Sequence, residues 1–417
     1  MGYKFEDTLH YSSPANGSRG IVRTGMLVPE SVELFVCPFA CGRHGSISAV
    51  KQNLKHRLSY LYVTQADIIN GYDNLIVPAV GELLESLPVT PKVILIFVSC
   101  LDDLIGTDHD ALQETLAKTY PHVKFRSCHM NPISKGSKTP PVVSVQNNIY
   151  SLLEKREERD HGVNCIGNIT GIAEESELHA YLASKGCKEL RHITHYETFD
   201  GYQDMAKSSW NLVIAPPGRQ AAEIMQEKID MPFRFLPVAY GLEEIKKTYE
   251  QMDEMFEDNK TSFDFTSYEA KAKEAIKRAL DVVKDTPIIV DASAVYRPFE
   301  LAKALLEYGF HVARVQAQDC SASDRMHYEW VTKEHPEVEI VQPMHHKSVL
   351  QENKMPNSIA IGVDGAYLAG SDYVVDLFND ETMYGFHGLE CLMNKLEHAL
   401  DQKVDLESMI HEYGLVV

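Results

Sequence analysis

Three cysteines follow predicted β-strands at positions where their thiols could bind metal. Cys37 and Cys41 bound a turn between a predicted strand and a predicted helix over 46–55, and Cys100 directly follows the apolar run Val93–Val98. A continuous apolar run with β-branched residues is typical of a buried parallel strand. Because the carboxyl ends of parallel strands share one edge of a sheet, we expect the three thiols to lie there. Four cysteine thiolates hold a 4Fe-4S cluster, so this edge could hold part of one.

A packing role is the alternative for each cysteine, because free cysteine is among the most buried residue types. Three cysteines at strand ends favour the metal-binding interpretation. A thiol at the start of a helix is expected to have a lowered pKa, and the thiolate is the form that metals bind. Two or three thiolates cannot supply the four ligands of a cubane cluster. The sequence therefore predicts that a second subunit supplies the rest.

Three short stretches carry a resemblance to a known family: SPANGSRG at 13–20, CPFACGR at 37–43 and SCLDDLIG at 99–106. In this order and separation they resemble the metal-cluster half-site of the nitrogenase component 1 superfamily. That superfamily includes the two subunits of the dinitrogen-reducing protein, their cofactor-assembly relatives and the dark-operative tetrapyrrole reductases. Cys41 and Cys100 fall on two of the family's cysteine positions. Where the family usually has another cysteine this chain has Ser13, which leaves Cys37 as the expected replacement.

The resemblance implies a 4Fe-4S cluster at a subunit interface and a separate homodimeric iron protein that hydrolyses ATP and delivers electrons. This chain has no Gly-Lys-Ser/Thr phosphate-binding loop, so ATP is expected only on that partner. Cys41 and Cys100 from two copies would supply four ligands, which makes a symmetric homodimer chemically sufficient. A heterotetramer with a paralogous component 1 subunit is the alternative.

Composition narrows the class of protein further. The formal net charge of −20 argues against nucleic-acid binding, which needs a basic face. No apolar run is long enough to span a membrane, and no secretory leader is recognisable. The eight cysteines are scattered over 417 residues, unlike a small disulfide scaffold. We therefore expect a cytoplasmic protein that does not bind membranes.

Strands alternate with helices in three blocks, which is the signature of parallel sheets. We predict an α/β fold with three Rossmann-like parallel-sheet domains around a central cleft, as in the superfamily. The predicted domains are 1–158, which binds the cluster, 159–258, and 259–417, which includes a helical bridge and the C-terminal helix. The predicted strands lie at 34–40, 58–63, 92–99 and 123–128; at 163–169, 190–195, 212–215 and 233–236; and at 287–291, 311–316, 338–342, 358–361 and 373–377.

Two departures from the family concern its large iron–molybdenum cofactor. The segment NLVIA at 211–215 aligns with the one that ends in the cofactor-binding cysteine of the dinitrogen-reducing subunit, and here that position is Ala215. The segment YGFHG at 384–388 resembles one that follows the cofactor-binding histidine, whose position here is near Val375. A methyl group and a valine cannot bind metal. We therefore expect no iron–molybdenum cofactor, no dinitrogen reduction in the usual manner, and a cleft free for an organic substrate.

Loops after strands in the second and third blocks offer residues that could bind an anion. Gly218 and Arg219 open a predicted helix, and a helix N-terminus beside an arginine is suited to a carboxylate or phosphate. The equivalent turn of the third block carries Ser293, Tyr296 and Arg297. We predict that these five residues bind a small organic anion. The alternative is that the arginine is a solvated or helix-capping residue.

His387 and Tyr384 lie in the loop before the last predicted helix and could donate protons to a substrate, because histidine titrates near working pH. A purely structural histidine is the alternative. Together these features predict the catalytic, electron-accepting component of a two-component, ATP-dependent reductase. Two alternatives are a scaffold for cofactor assembly, which would carry a labile cluster, and a non-redox ligand-binding protein without a cluster. Ser13 in place of cysteine favours the last of these.

Overall fold

The computed structural model of the protein describes residues 5–6, 9–15, 21–130, 139–256, 259–350 and 354–413. Within these residues thirteen strands form three parallel sheets of four, four and five strands. Each of the thirteen overlaps one of the predicted strands. The predicted α/β class is confirmed.

The first sheet has the strand order β2-β1-β3-β4. β1 and β3 are buried at every position, as expected for central parallel strands that are covered on both faces. Its strands are β1 (Ser31–Cys37), β2 (Leu58–Tyr62), β3 (Val93–Ser99) and β4 (Lys124–Met130). Its helices are α1 (Ile21–Gly25), α2 (Phe39–Lys51), α3 (Gln65–Asn70), α4 (Asp73–Ser86), α5 (Cys100–Ile105), α6 (His109–Thr119) and α7 (Pro141–Tyr150).

Helix α2 begins at Phe39, seven residues before the predicted helix, so Cys41 lies in its first turn. Glycines lower intrinsic helix propensity, which is why the pattern placed the start later. Here Gly42 and Gly45 allow the helix to lie against the ring of Tyr60: a Cβ on Gly42 would lie 2.5 Å from that ring. Tertiary packing therefore overrides local propensity at this turn.

The second sheet repeats the order of the first, β6-β5-β7-β8. Its strands are β5 (Val163–Ile166), β6 (Leu190–Arg191), β7 (Trp210–Val213) and β8 (Phe233–Phe235), and its helices are α8 (Glu177–Ser184), α9 (Phe199–Tyr202), α10 (Arg219–Ile229) and α11 (Leu242–Asp253). The loops that follow β5 and β7 touch: a Cβ on Gly218 would lie 2.5 Å from the Cα of Gly167. Glycine is required at this close approach.

The third sheet has the order β11-β10-β9-β12-β13, which is the order of a doubly wound Rossmann-like sheet. Helix α12 (Thr266–Val283) connects the second domain to the third sheet and packs on α16 (Gly385–His398). Its strands are β9 (Ile288–Asp291), β10 (Val312–Gln316), β11 (Glu339–Val341), β12 (Ile359–Ile361) and β13 (Tyr373–Val375). Its other helices are α13 (Pro298–Tyr308), α14 (Arg325–Glu334), α15 (Val363–Ala369), α16 (Gly385–His398) and α17 (Leu406–Tyr413).

The second sheet lies between two apolar cores. Side chains alternate across a strand, and in β7 Leu212 belongs to the core shared with the third domain, whereas Val213 belongs to the core shared with the first. Residues near the N-terminus cross to the third domain, since Phe5 packs on Phe299 and Tyr328. The predicted domain boundaries stay predictions.

Candidate active site

The three predicted metal-binding cysteines lie along one edge of the first sheet. Cys37 is the last residue of β1, and Cys100 is the first residue after β3. These strands are neighbours, with Val36 paired to Val98. The strand order changes direction between β1 and β3, so the helices that follow these two strands leave on opposite faces and open a crevice between them. The cysteines therefore border the topological switch point of this domain.

The three thiols differ in their access to solvent. Cys41 is exposed, Cys100 is partly buried, and Cys37 is fully buried in a core that also contains Phe35 and Phe97. Burial raises the pKa of the Cys37 thiol to about 12, with a smaller contribution from the charge of Cys41. Burial and the charge of Cys100 raise the pKa of Cys41 as well. The expected lowering of thiol pKa at this helix start is wrong for these two residues.

Raised thiol pKa values are compatible with metal binding. Each thiolate disfavours its neighbour by charge repulsion, which requires the thiols to be close together. Without a cation such a group stays protonated, and a bound metal converts its thiols to thiolates. Cys41 and Cys100 are soft donors with some access to solvent that follow the neighbouring strands β1 and β3, and two such donors fit part of an iron–sulfur cluster. Cys37 has no exposed surface to offer.

Large apolar side chains are exposed on the helices that carry Cys41 and Cys100 and at the end of β2. Phe39 is 73% exposed and Leu104 is 81% exposed, while Tyr62 and Ile105 also reach solvent. We refer to Phe39, Tyr62, Leu104 and Ile105 as the apolar collar. The rings of Phe39 and Tyr62 are 5.1 Å apart. Exposed apolar side chains that adjoin one another mark a surface that binds another molecule.

Ser13, which replaces a family cysteine, is buried, and its hydroxyl accepts a hydrogen bond from the Ala15 amide at 3.2 Å. This contact closes a local turn. The remainder of the stretch at 16–20 lies outside the described residues. The serine therefore has a structural role that needs no metal.

Predicted substrate residues of the third domain meet loops of the second, but their polar groups are already bonded. Arg297 donates from Nε and Nη2 to the carbonyl oxygen of Val238 at 3.1 and 2.9 Å. The Tyr384 hydroxyl is buried and donates to the Leu236 carbonyl at 3.3 Å. The Ser293 hydroxyl donates to Asp291 at 2.6 Å. These side chains fix the loops to one another.

Arg219 and His387 keep more freedom. Arg219 is the first residue of α10, and its guanidinium is 60% exposed, 3.4 Å from Glu223 and over the ring of Phe235. The His387 side chain is 19% exposed, and its Nε2 lies 3.3 Å from the sulfur of Cys391. Arg219 and His387 are therefore more available to a ligand than Arg297 and Tyr384, whose polar groups are buried and already bonded.

Two residues that the sequence did not single out hold the domains together. Asn168, after β5, donates from its side-chain amide to the carbonyls of Asn379 and Glu381, both at 2.8 Å. Glu177 accepts from the amides of Phe386 and His387 at the first turn of α16, where a carboxylate complements the helix dipole. More than 200 residues separate each pair of partners along the chain, so no local signal could reveal them.

Comparison with known proteins gives the family. A sequence profile described as "Nitrogenase component 1 type Oxidoreductase" matches residues 23–412. The chain belongs to this family. A solved structure titled "Nitrogenase Cp1 at pH 6.5" is similar with a TM-score of 0.69 and 14% identity, covering 95% of each chain. Another, titled "Nitrogenase Cp1 at pH 5", has a TM-score of 0.58 and 14% identity over 94% of this chain and 91% of that one.

Membership in the nitrogenase component 1 family confirms the predicted superfamily. The positions expected to lack ligands for a large cofactor, Ala215 and Val375, are buried at or near the ends of β7 and β13 and present only hydrocarbon. Among the helices that the structure describes, none is both long and apolar enough to cross a membrane.

A buried carboxyl lies where the loops of the second and third domains meet. Asp380 is 3% exposed and accepts from the Tyr240 hydroxyl at 2.8 Å and the Tyr296 amide at 3.1 Å. Burial raises the pKa of Asp380 to about 7, although these hydrogen bonds and Arg297 oppose the shift. An aspartate in unfolded chains has a pKa of about 3.9. The folded protein therefore holds a proton on this residue that the unfolded chain releases.

We predict that Asp380→Asn removes part of the pH dependence of stability. The stabilising effect of the neutral acid is fully present below about pH 4 and is lost as pH rises through about 7. Relative to the variant, the wild type should lose up to about 1.4 kcal/mol per pH unit of unfolding free energy across this range. Asparagine mimics the neutral acid and tolerates the left-handed backbone at φ 58°.

Urea unfolding of both proteins between pH 5 and 8 measures this difference. Asp110→Asn, which changes an exposed carboxyl on α6, is the control and should follow the wild type. A constant difference between wild type and Asp380→Asn at every pH would contradict the assignment.

Proposed function

We propose that the protein is the electron-accepting and substrate-binding component of a two-component, ATP-dependent reductase, with a 4Fe-4S cluster between two subunits. The observation that carries this proposal is the position of two thiols with access to solvent, Cys41 and Cys100, after the neighbouring strands β1 and β3 at the switch point of the first sheet. Support also comes from the family, whose members are oxidoreductases of the nitrogenase type. When bound, the cluster would supply one-electron chemistry.

The number of thiols requires a second subunit. One chain offers Cys41 and Cys100, whereas a cubane takes four cysteine ligands. A second copy placed by a two-fold axis at this edge would supply the other two. The apolar collar gives that contact a surface to bury. Cys37 is packed in the core, so the geometry favours the arrangement of two plus two ligands over Cys37 as a third ligand. A heterotetramer with a paralogous subunit is the competing assembly.

A separate homodimeric iron protein would hydrolyse ATP and deliver the electrons. This chain carries no Gly-Lys-Ser/Thr loop for the phosphates. Its own role would be to hold the cluster, to keep water from it through the collar, and to bind the substrate.

For the substrate we propose a small organic anion bound near the meeting point of the second and third domains. Arg219 has an exposed guanidinium that can bind a carboxylate through charge-assisted hydrogen bonds. His387 is the better proton source of the two candidates, because the Tyr384 hydroxyl already donates to Leu236. Gly218, Ser293, Tyr296 and Arg297 would shape the site by fixing its loops.

An assembly scaffold remains the second candidate, and the exposure of Cys41 favours it, because an accessible thiolate can release a cluster to another protein. A scaffold would lose its cluster on incubation with a metal-free acceptor protein. A reductase component would retain it and be reduced by the iron protein.

The cluster ligands are tested by iron and sulfide analysis of protein purified without oxygen. The wild type should contain about four iron and four sulfide per dimer. Cys41→Ala and Cys100→Ala should each abolish the cluster, because no other accessible thiol adjoins them among the described residues. Cys320→Ala, which removes a partly buried thiol in the third domain, is the matched control and should retain the metal.

Cys37→Ser separates the two ligand arrangements. Full iron content in this variant is expected for two ligands from each subunit, whereas a loss of iron would make Cys37 a ligand. A wild-type protein that is free of iron under strict anaerobiosis would overturn the proposed function.

The apolar collar is tested by the oligomeric state. Leu104→Asp should raise the dissociation constant of the dimer at least tenfold. Burying a leucine contributes about 1.5–3 kcal/mol, and a two-fold interface contains this residue twice, once from each subunit. Val89→Asp is the control, since Val89 is 76% exposed but precedes β3 at the opposite edge of the sheet. Sedimentation equilibrium measures both variants. A dimer that is unaffected by Leu104→Asp would place the interface elsewhere.

A further inference from the structure

Two histidines and one aspartate converge beside the cysteine edge. Asp102 lies in α5, His109 begins α6, and His129 is near the end of β4. One ligand atom from each lies within 4.8 Å of the other two. No cysteine belongs to this group, which therefore differs from the thiol pair in position and in chemistry.

The buried Asp102 carboxylate is held by two neighbouring side chains. It is 1% exposed, and the Tyr72 hydroxyl donates to its Oδ1 at 2.9 Å while His109 Nε2 contacts Oδ2. Burial alone would raise the pKa of Asp102, but hydrogen bonds from His109, Thr107 and Tyr72, together with the charge of His109, lower it overall. Its Oδ2 faces His109 and is a donor that a shared metal ion could bind.

His109 has a nitrogen that this network leaves unused. Its Nδ1 is buried and has no hydrogen-bond partner among the described residues. The rings of His109 and His129 meet edge to face, with their centroids 4.6 Å apart and their planes at 80°. A metal on Nδ1 would lie on the side of the ring away from Asp102, so an ion shared with Asp102 must bind Nε2 in place of the present contact with Oδ2.

We propose that Asp102, His109 and His129 bind one divalent transition metal ion of the Zn²⁺ or Fe²⁺ class. Two imidazoles with one carboxylate form a ligand set that suits these metals and leaves coordination positions open for water or a small ligand. Tyr72 acts as an outer partner that orients the carboxylate, as is usual around protein-bound metals.

The position of this site gives it a consequence for the cysteine edge. Asp102 lies two residues after Cys100 in α5, a helix of six residues whose last two side chains, Leu104 and Ile105, are exposed. A metal shared with α6 and β4 would fix this short helix to the sheet.

The test uses a protein without the thiol pair, so that its result does not depend on the iron–sulfur cluster. The double variant Cys41→Ser/Cys100→Ser is dialysed against a chelator and titrated with Co²⁺, whose visible absorption reports bound imidazole, and with Zn²⁺ in a calorimeter. One ion per chain should bind. His129→Ala in this background should weaken binding at least tenfold, and His122→Ala, an exposed histidine before β4, should not change it.

Binding that is absent, or equal in the His129→Ala and His122→Ala proteins, would overturn the site. If the double variant fails to fold, metal analysis of the wild type decides the question. It should show one zinc, or one iron beyond the sulfide-matched amount, per chain, and this ion should be missing from His129→Ala. A wild type with no such ion would also refute the proposal.

Discussion

The pairing of β1 with β3 is the constraint on which the candidate site depends. Both strands are buried on both faces, and their register places Val36 beside Val98. A shift of one residue would turn each buried side chain to the other face of the sheet. Because the strands are held in this way, their carboxyl ends bring Cys41 and Cys100 together although 58 positions of sequence lie between them. The pairing of the strands, rather than a long loop, positions these two thiols.

The predicted site residues fall into two groups, one buried and one exposed. Cys37, Arg297 and Tyr384 are buried, and the last two donate to carbonyl oxygens of the second domain. An unbonded polar group in such a place would cost about 1–3 kcal/mol, so these contacts stabilise the joined domains. Cys41 and Arg219 remain exposed. The exposed residues are those proposed to bind a cluster or an anion, whereas Arg297 and Tyr384 join the second and third domains.

The second domain is held between the other two because both faces of its sheet pack against them. Alternate residues of β5 and β7 pack into cores shared with the third and the first domain. Asn168 adds two hydrogen bonds to the loop before α16, and Glu177 binds the first turn of that helix. Movements of the third domain relative to the second would have to break these contacts. Asp380, whose pKa burial raises to about 7, lies in the same contact region. We therefore expect the stability of the contact between the two domains to depend on pH.

The sequence predicted the fold well because buried parallel strands have a strong local signal. Runs such as Val93–Val98 are apolar and β-branched, and all thirteen strands overlap their predictions. The start of α2 was missed, since Gly42 and Gly45 are poor helix formers unless a distant ring, here Tyr60, packs on them.

The site was predicted only in part. The position of the cysteines follows from strand ends, but their raised pKa values depend on burial and on one another, which sequence does not give. Asp102, His109 and His129 come from three separate elements, and the spacing of these three residues along the chain matches no metal-binding motif. The bonding of Arg297 and Tyr384 to carbonyls of the second domain likewise depends on tertiary contacts.

The most direct test of the central claim is anomalous X-ray scattering at the iron edge from crystals of protein prepared without oxygen. The account predicts one compact iron peak on the axis between two subunits, bounded by Cys41 and Cys100 of each or of a paralogous partner. Crystals in which no iron cluster lies between Cys41 and Cys100 of two subunits, so that these cysteines face solvent or bind nothing, would contradict it, whether or not a single metal ion occupies the Asp102, His109 and His129 site.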